Sequence, residues 1–162
     1  MQFIRLWSRL GALSLVSLIV LSSACSDAFG PDGELRDEQR DLSRARRIWI
    51  ANDIRDYEYV VRRNCYCVMS GVAVRVTVRN DFVIAREIDG TVTPIPSSMA
   101  AFYPSVDGLF SLIQDAIDER AYRLDTQYDY GFGFPTDLWI DYDRRTADEE
   151  EGYTLVRFRS LR

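Results

Sequence analysis

Strict alternation of apolar and polar residues is the feature that most limits what this chain can fold into. Residues 72–79, VAVRVTVR, place valine at every second position, and only an extended strand brings such a set to one face. Asn80-Asp81 then predicts a tight turn into another strand over residues 82–88. The same period of two recurs at residues 57–67, 122–129, 137–143 and 153–160. These strands predict an antiparallel sheet with one buried and one polar face.

Two segments have the period of an amphipathic helix instead. Residues 37–56 carry a stripe formed by Leu42, Ala45, Ile48 and Trp49, and residues 106–119 carry one formed by Leu109, Phe110, Ile113, Ala116 and Ile117. Ser105 precedes the second segment and is a suitable N-cap. We therefore expect a two-layer α+β fold in the order α-β-β-β-α-β-β-β. It would have an antiparallel sheet of about six strands and two amphipathic helices on one face.

The N-terminus has the order of regions found in a secretory signal. Arg5 and Arg9 precede an apolar run over residues 10–21, which is too short to span a bilayer comfortably. The sequence that follows, Leu21-Ser22-Ser23-Ala24-Cys25, resembles a bacterial lipobox, in which the cysteine is lipidated and begins the mature chain. Plain secretion, with cleavage after Ala24 or Ala28, is the alternative.

These features predict three regions. Residues 1–24 would be a lipoprotein signal peptide, residues 25–36 the lipidated Cys25 with a flexible tether, and residues 37–162 a single α+β domain. The chain would be exported and anchored to the cell envelope by its lipid. Ser26 stands where an aspartate would favour inner-membrane retention. The periplasmic side of the outer membrane is therefore the expected location in a cell with two membranes.

The composition excludes several classes of function. The chain has no histidine and no lysine, and its formal net charge is −5. Schiff-base lysines, P-loop lysines and histidine general bases are therefore unavailable. The negative charge disfavours binding to nucleic acid. We expect no cofactor and no enzymatic activity.

Cys65 and Cys67 are separated by one residue, and they form an even pair if Cys25 carries lipid. In a regular strand their Cα atoms would be roughly 6.5–7 Å apart, so a disulfide requires a bend. A metal site would need two more soft or imidazole ligands, but the chain has no histidine and its third cysteine is the expected lipidation site. A structural disulfide, a redox pair and reduced or intermolecularly paired thiols remain open.

Carboxylates and an aromatic residue lie along the penultimate predicted strand. Alternation places Asp137, Trp139, Asp141 and Asp143 on one face, with Asp125 and Asp129 on the neighbouring strand. A solvated surface, a calcium site and a pair of catalytic carboxylates are the alternatives, and no spacing here matches an EF-hand loop. We single out Asp137, Trp139, Asp141 and Asp143 as a possible binding face and expect no bound metal.

From Trp49 onward the chain carries a series of spaced motifs: Tyr57-Glu58-Tyr59, Cys65-Tyr66-Cys67, Leu109-Phe110, Tyr128-Asp129, Gly133-Phe134-Pro135, Ile140-Asp141-Tyr142-Asp143 and Ala147-Asp148-Glu149-Glu150. This series resembles a family of uncharacterised bacterial lipoproteins and secreted proteins that share a domain of unknown function. The resemblance covers most of the predicted domain. It implies an exported protein with the same domain, and it implies no particular activity.

The expected function is that of a bacterial envelope lipoprotein with a non-enzymatic binding or structural domain. One alternative is a protein inhibitor or partner-binding module that uses the aromatic and acidic sheet face. The other is a thiol-disulfide redox protein that uses Cys65 and Cys67. The expected partners are the membrane, through the lipid anchor, and an envelope protein, with the oligomeric state open.

Overall fold

The computed structural model describes residues 31–161, so the predicted signal, Cys25 and the first part of the predicted tether lie outside the described residues. The elements are α1 (Pro31–Asn52), β1 (Tyr57–Cys65), β2 (Ala73–Arg79), β3 (Phe82–Ile88), a 3₁₀ helix (Ser97–Phe102), α2 (Val106–Asp118), β4 (Arg123–Tyr128), β5 (Pro135–Asp141) and β6 (Glu151–Ser160). Within residues 31–161, no helix has the length and apolar character needed to cross a membrane.

The strands form one open six-stranded sheet in the order β3-β2-β1-β6-β5-β4. Every neighbouring pair is antiparallel. The first and last strands of the chain therefore lie side by side in the middle of the sheet. The predicted α+β class and the predicted antiparallel sheet of about six strands are both confirmed.

One hydrophobic core joins the helices to the apolar residues of the sheet. Alternate residues of β1 and β2 are buried in it, namely Tyr57, Tyr59, Val61, Val74, Val76 and Val78. The helices contribute the residues that their stripes predicted, including Leu42, Ala45, Trp49, Leu109, Phe110 and Ile113. The apolar residues that recur with a period of two in the strands and of 3.6 in the helices therefore pack into the same core.

Helix α1 begins at Pro31, within the segment predicted to be a flexible tether. Residues 31–36 are helical, so that part of the tether prediction is wrong. Proline is well tolerated at the first helical position, where its missing N–H would have no helical partner. Leu35 also packs against the core, which gives this extra length of helix an apolar contact that composition alone does not reveal.

Other parts of the structure also differ from expectation. Strand β1 ends at Cys65, short of Cys67, because the chain turns there. Strand β5 ends at Asp141, short of Asp143. A 3₁₀ helix, Ser97–Phe102, occupies part of the segment predicted to be a loop.

The start of α2 is fixed by the side chain of Ser105, which precedes the helix, and by two tyrosines of β1. Ser105 caps the helix as predicted, because its Oγ accepts a hydrogen bond from the Gly108 N–H at 3.2 Å. The Tyr57 hydroxyl accepts one from the Val106 N–H at 3.0 Å. Tyr59 donates its hydroxyl hydrogen to the carbonyl of Pro104. Two tyrosines of β1 thus hold the beginning of α2 on the sheet.

Candidate functional site

The polar face of the sheet brings three of the predicted binding residues together. Asp137, Trp139 and Asp141 alternate along β5 with the buried Leu138 and Ile140. Across the sheet, Trp139 lies opposite Asp125 of β4 and opposite Gly152 of β6. Tryptophan is therefore at the centre of a row of residues from three adjacent strands. We call the set Asp125, Asp137, Trp139 and Asp141 the acidic–aromatic patch.

The Trp139 indole packs directly on the backbone of the last strand. A Cβ placed on Gly152 would lie 2.7 Å from Trp139 Cε3 and 3.1 Å from the Leu138 carbonyl oxygen. Only glycine leaves room for the ring in this position. The contact replaces the side-chain pairing that a glycine in a strand lacks, and it holds the indole in one place while leaving it partly exposed.

The carboxylates of the patch have different partners. Asp137 Oδ2 accepts a hydrogen bond from Thr154 Oγ1 at 3.0 Å. Asp125 forms an ion pair with Arg123 at 2.6 Å, and both side chains are more than half exposed, so this pair adds little stability. Asp141 Oδ1 is buried and has no hydrogen-bond partner among the described residues. Asp137 and Asp125 thus have partners within the domain, and the buried Asp141 oxygen is closed off from solvent.

Asp143 and Asp129 lie in turns, outside the acidic–aromatic patch. Asp143 Oδ1 accepts a hydrogen bond from the Arg145 N–H at 3.0 Å, and this bond lowers the pKa of Asp143. Asp129 Oδ1 accepts hydrogen bonds from the N–H groups of Gly131 at 2.9 Å and Phe132 at 2.7 Å. Both carboxylates close local turns in the way typical of aspartate, which alternation extended past a strand end cannot predict.

A calcium site is one of the alternatives that the sequence leaves open for these acidic residues. Within the part of the chain that the structure describes, no group of three or more histidine, cysteine, aspartate or glutamate residues is arranged to hold a metal ion. The carboxylates of the patch are spread along two strands, and two of the acidic residues expected near them are used in turns.

Ion pairs cover the other half of the polar face, and sequence reasoning missed most of them. Arg75 pairs with Glu87 at 3.0 Å and Arg159 with Glu58 at 3.0 Å, while Arg157 pairs with Asp89. All of these residues except Glu87 line a shallow depression of about 500 Å³, together with the buried Val60. The alternating arginines of YTLVRFRS were the available signal, but their acidic partners depend on strand order.

The cysteine pair lies at the end of β1, two strands from the acidic–aromatic patch, because Cys65 pairs with Glu151 of β6 and Glu151 pairs with Ile140 of β5. Cys65 and Cys67 are at disulfide-bonding distance, with their Cα atoms 5.2 Å apart. The separation is shorter than in a regular strand because β1 ends at Cys65 and the chain bends. This is the bend that a disulfide between these residues was expected to require.

Arg63 contacts this pair through Cys67, and its guanidinium is held by several other contacts. Its Nη1 donates to Cys67 Sγ at 3.4 Å. Its Nε and Nη2 donate to Glu151 Oε2 at 3.1 and 2.9 Å, and the guanidinium lies 4.1 Å from the centre of the Phe102 ring. Tyr153 donates its hydroxyl hydrogen to the same Glu151 oxygen, and burial raises the pKa of Tyr153 above its ordinary value.

The comparisons with known proteins identify one family. Residues 41–160 match a family of unknown function, DUF6174. Neither the comparison with curated proteins nor the comparison with solved structures gives a match. The matched range runs from α1 to the end of β6 and includes both the acidic–aromatic patch and the cysteine pair. The chain therefore belongs to the DUF6174 family.

Proposed function

We propose that the chain is a bacterial envelope lipoprotein, anchored through Cys25, whose domain binds a protein partner at a surface that itself catalyses no reaction. The regions of the signal and the sequence ending at Cys25 support export and lipidation. The two helices cover one face of the sheet in a two-layer arrangement and leave the polar face open to a partner. A protein inhibitor is one form that such a module takes.

The observation that carries the binding proposal is the fixed position of Trp139 among carboxylates. The indole rests on Gly152 and is flanked in register by Asp125. Because the ring is already immobilised, a partner that stacks on it orders little additional side chain. Aromatic residues in such positions commonly carry much of the energy of an interface.

Charge complementarity indicates the chemistry of the partner. The acidic–aromatic patch has three carboxylates, one of which, Asp125, pairs with Arg123. Asp141 lies two residues from Trp139 on the same face of β5. A cationic side chain placed over the indole would gain a cation–π interaction and would lie beside the carboxylates of the patch. We therefore commit to an envelope protein that presents an arginine or lysine to this patch.

Substitution of Trp139 tests the binding proposal. The anchored protein would be cross-linked in intact cells, the captured protein identified and purified, and its affinity measured for three chains. Trp139→Ala should weaken binding at least 10-fold, because truncation of an aromatic hot spot costs about 2 kcal/mol or more. Tyr130→Ala is the control, because Tyr130 is fully exposed in the β4–β5 turn.

The same measurement at two salt concentrations tests the charge of the partner. Affinity of the unsubstituted chain should fall as salt rises, and Asp141→Asn should reduce this dependence. Equal loss of affinity in Trp139→Ala and Tyr130→Ala would contradict the proposed face. Binding that is insensitive to both salt and Asp141→Asn would contradict a cationic partner.

Labelling with a radioactive fatty acid tests the anchor. The label should enter the unsubstituted chain and be absent from Cys25→Ala. A chain with Cys65→Ala and Cys67→Ala is the matched control and should keep the label, because these cysteines lie inside the domain. Label that persists in Cys25→Ala would overturn the proposed anchoring.

A further inference from the structure

The turn that follows β1 is held by hydrogen bonds to backbone and hydroxyl oxygens, none of which requires the Cys65–Cys67 disulfide. The Gly71 N–H donates to the Arg63 carbonyl at 2.7 Å and the Ser70 N–H to the Cys67 carbonyl at 3.3 Å. The Cys65 N–H donates to Ser70 Oγ at 3.2 Å. A disulfide with one intervening residue closes a very small ring, worth less than about 2 kcal/mol in unfolded-state entropy. The fold therefore does not depend on the Cys65–Cys67 bond.

The surroundings of Cys67 favour a negative charge on its sulfur. The Arg63 guanidinium is only 11% exposed, and Glu151 accepts hydrogen bonds from its Nε and Nη2. Its Nη1 is directed at Cys67 Sγ, 3.4 Å away. Tyr153, bonded to Glu151, and Tyr103 are the other titratable groups that face the guanidinium. A fixed cation beside a sulfur stabilises its thiolate form, which is the reactive form in disulfide exchange.

The sulfur of Cys67 is also open to an incoming polypeptide. Cys67 is exposed, whereas Cys65 is partly buried. The neighbours of Cys67 are apolar and unusually exposed, with Tyr66 at 82% and Val68 at 74%. Exposed apolar side chains around a reactive sulfur would contact a partly unfolded chain. Neither Tyr66 nor Val68 contributes to the core, so packing does not explain them.

We propose that Cys65 and Cys67 form an exchangeable pair that oxidises dithiols in exported polypeptides, with Cys67 as the reacting sulfur. A substrate thiolate attacks Cys67 Sγ, and the Cys65–Cys67 bond breaks, so that Cys65 leaves with the electron pair and takes up a proton. The second substrate thiolate then attacks the substrate sulfur of the mixed disulfide. Cys67 departs as a thiolate beside Arg63. The substrate loses two electrons to form a disulfide, and the protein pair gains them.

This activity is separate from partner binding at the acidic–aromatic patch and from the anchor at Cys25. It uses residues at the end of β1 and the beginning of β6, together with the turn over residues 66–71. Arg63 is a positioning and electrostatic residue in this scheme, because it acts through the sulfur of Cys67 and contacts no substrate atom. Failure of either proposal would leave the other standing.

Single-cysteine chains test which sulfur reacts. The full chain with Cys65→Ser or Cys67→Ser would be mixed at pH 6 with 5,5′-dithiobis(2-nitrobenzoate). Modified cysteines would be assigned by mass spectrometry of peptides, which separates them from Cys25. We expect Cys67, in Cys65→Ser, to react at least 10-fold faster than Cys65, in Cys67→Ser. Equal rates, or a faster Cys65, would overturn the proposal.

The role of Arg63 is tested by the pH profile of the same reaction. Arg63→Gln combined with Glu151→Gln removes the pair without leaving an unpaired carboxylate, and it should move the Cys67 rate profile to higher pH. Arg62→Gln is the matched control, since Arg62 is the exposed neighbour of Arg63 and should leave the profile unchanged. A profile that moves in neither chain would overturn the assigned role of Arg63.

Native oxidised protein mixed with a reduced dithiol peptide completes the test. The peptide should acquire its disulfide while the protein gains two thiols, and circular dichroism should show that the fold is retained. A Cys65–Cys67 pair that the peptide and excess dithiothreitol both fail to reduce in the folded protein would overturn the exchange activity. The Cys65→Ser, Cys67→Ser double variant is the control and should oxidise no peptide.

Discussion

At the scale of single residues, the contact between Gly152 and Trp139 shows how an absent side chain positions a present one. Any Cβ at residue 152 would enter the space of the indole, at 2.7 Å from its Cε3. Gly152→Ala should therefore displace the ring and destabilise the domain by about 1–3 kcal/mol, the usual cost of overpacking. Urea unfolding measures the loss, and near-ultraviolet circular dichroism measures the displacement.

Gly131→Ala is the control for this prediction. The nearest atom to a Cβ at Gly131 is Asp129 Oδ1, at 3.5 Å, an ordinary contact. Its change in unfolding free energy should stay within about 0.5 kcal/mol. Similar losses in the two chains would show that the Trp139 ring is not held by the glycine.

Glu38 gives a residue-scale prediction about pH. Burial raises the pKa of Glu38 above 4.5, and Asp41 and Asp125 add to the effect. Its contribution to stability is therefore fully present below pH 4.5 and is lost as pH rises through the higher folded value. Glu38→Gln can still accept the Thr126 hydrogen bond and avoids this loss.

The stability of Glu38→Gln relative to the unsubstituted chain should accordingly increase from pH 4 to pH 7. Urea unfolding at several pH values measures the difference. Glu34→Gln, an exposed position of the same helix, controls for removal of one negative charge. A difference that stays constant across this pH range, or that falls as pH rises, would contradict the prediction.

At the scale of elements, α2 is fixed to the sheet by tyrosine hydroxyls. Tyr57→Phe would leave the buried Val106 N–H without the acceptor it has at 3.0 Å, at a cost of about 1–3 kcal/mol. Tyr103→Phe is a matched control, because the buried Tyr103 hydroxyl has no hydrogen-bond partner among the described residues. Chemical denaturation should show a large loss for the first change and a small loss or a gain for the second.

Element boundaries also show what sequence patterns can predict. Alternation located the six strands because more buried and more exposed residues tend to alternate along them, although β3 has only partly buried residues on its inner side. The 3.6 period located both helices because each has one buried stripe. The patterns failed where the deciding contact is distant in sequence. Leu35 extends α1 because it packs on the core. Similarly, Asp143 lies beyond β5 because its carboxylate closes a turn with Arg145.

The candidate site follows the same division between local and distant information. Asp137, Trp139 and Asp141 were placed on one face by alternation alone. Their neighbours Gly152 and Thr154 belong to β6, and no pattern in the sequence specifies that β6 lies between β5 and β1. The contact of Arg63 with Glu151 depends on the same strand order, so the environment of Cys67 could not be predicted.

At the scale of the whole molecule, pairing of β1 with β6 joins the two halves of the sheet. Strand β6 has β1 on one side and β5 on the other. A chain ending at residue 150 would lack it and expose two unpaired strand edges in the middle of the sheet. This truncated chain should show no cooperative unfolding transition in urea.

A chain ending at residue 160 is the control for this truncation. It loses the hydrogen bond from the Leu161 N–H to the Asp56 carbonyl, which is 2.9 Å long, but keeps all of β6. We expect it to unfold cooperatively, with a loss of about 1 kcal/mol. Cooperative unfolding of the chain ending at residue 150 would contradict the central role assigned to β6.

The central position of β6 also determines when the protein can fold. The two halves of the sheet cannot be joined until the last strand has been synthesised, because β1 pairs with β6, which is near the other end of the chain. A nascent chain therefore has no complete sheet until residues 151–160 have been synthesised. For a protein proposed to leave the cytoplasm, this connectivity delays completion of the sheet, which favours the unfolded state that a translocation channel accepts.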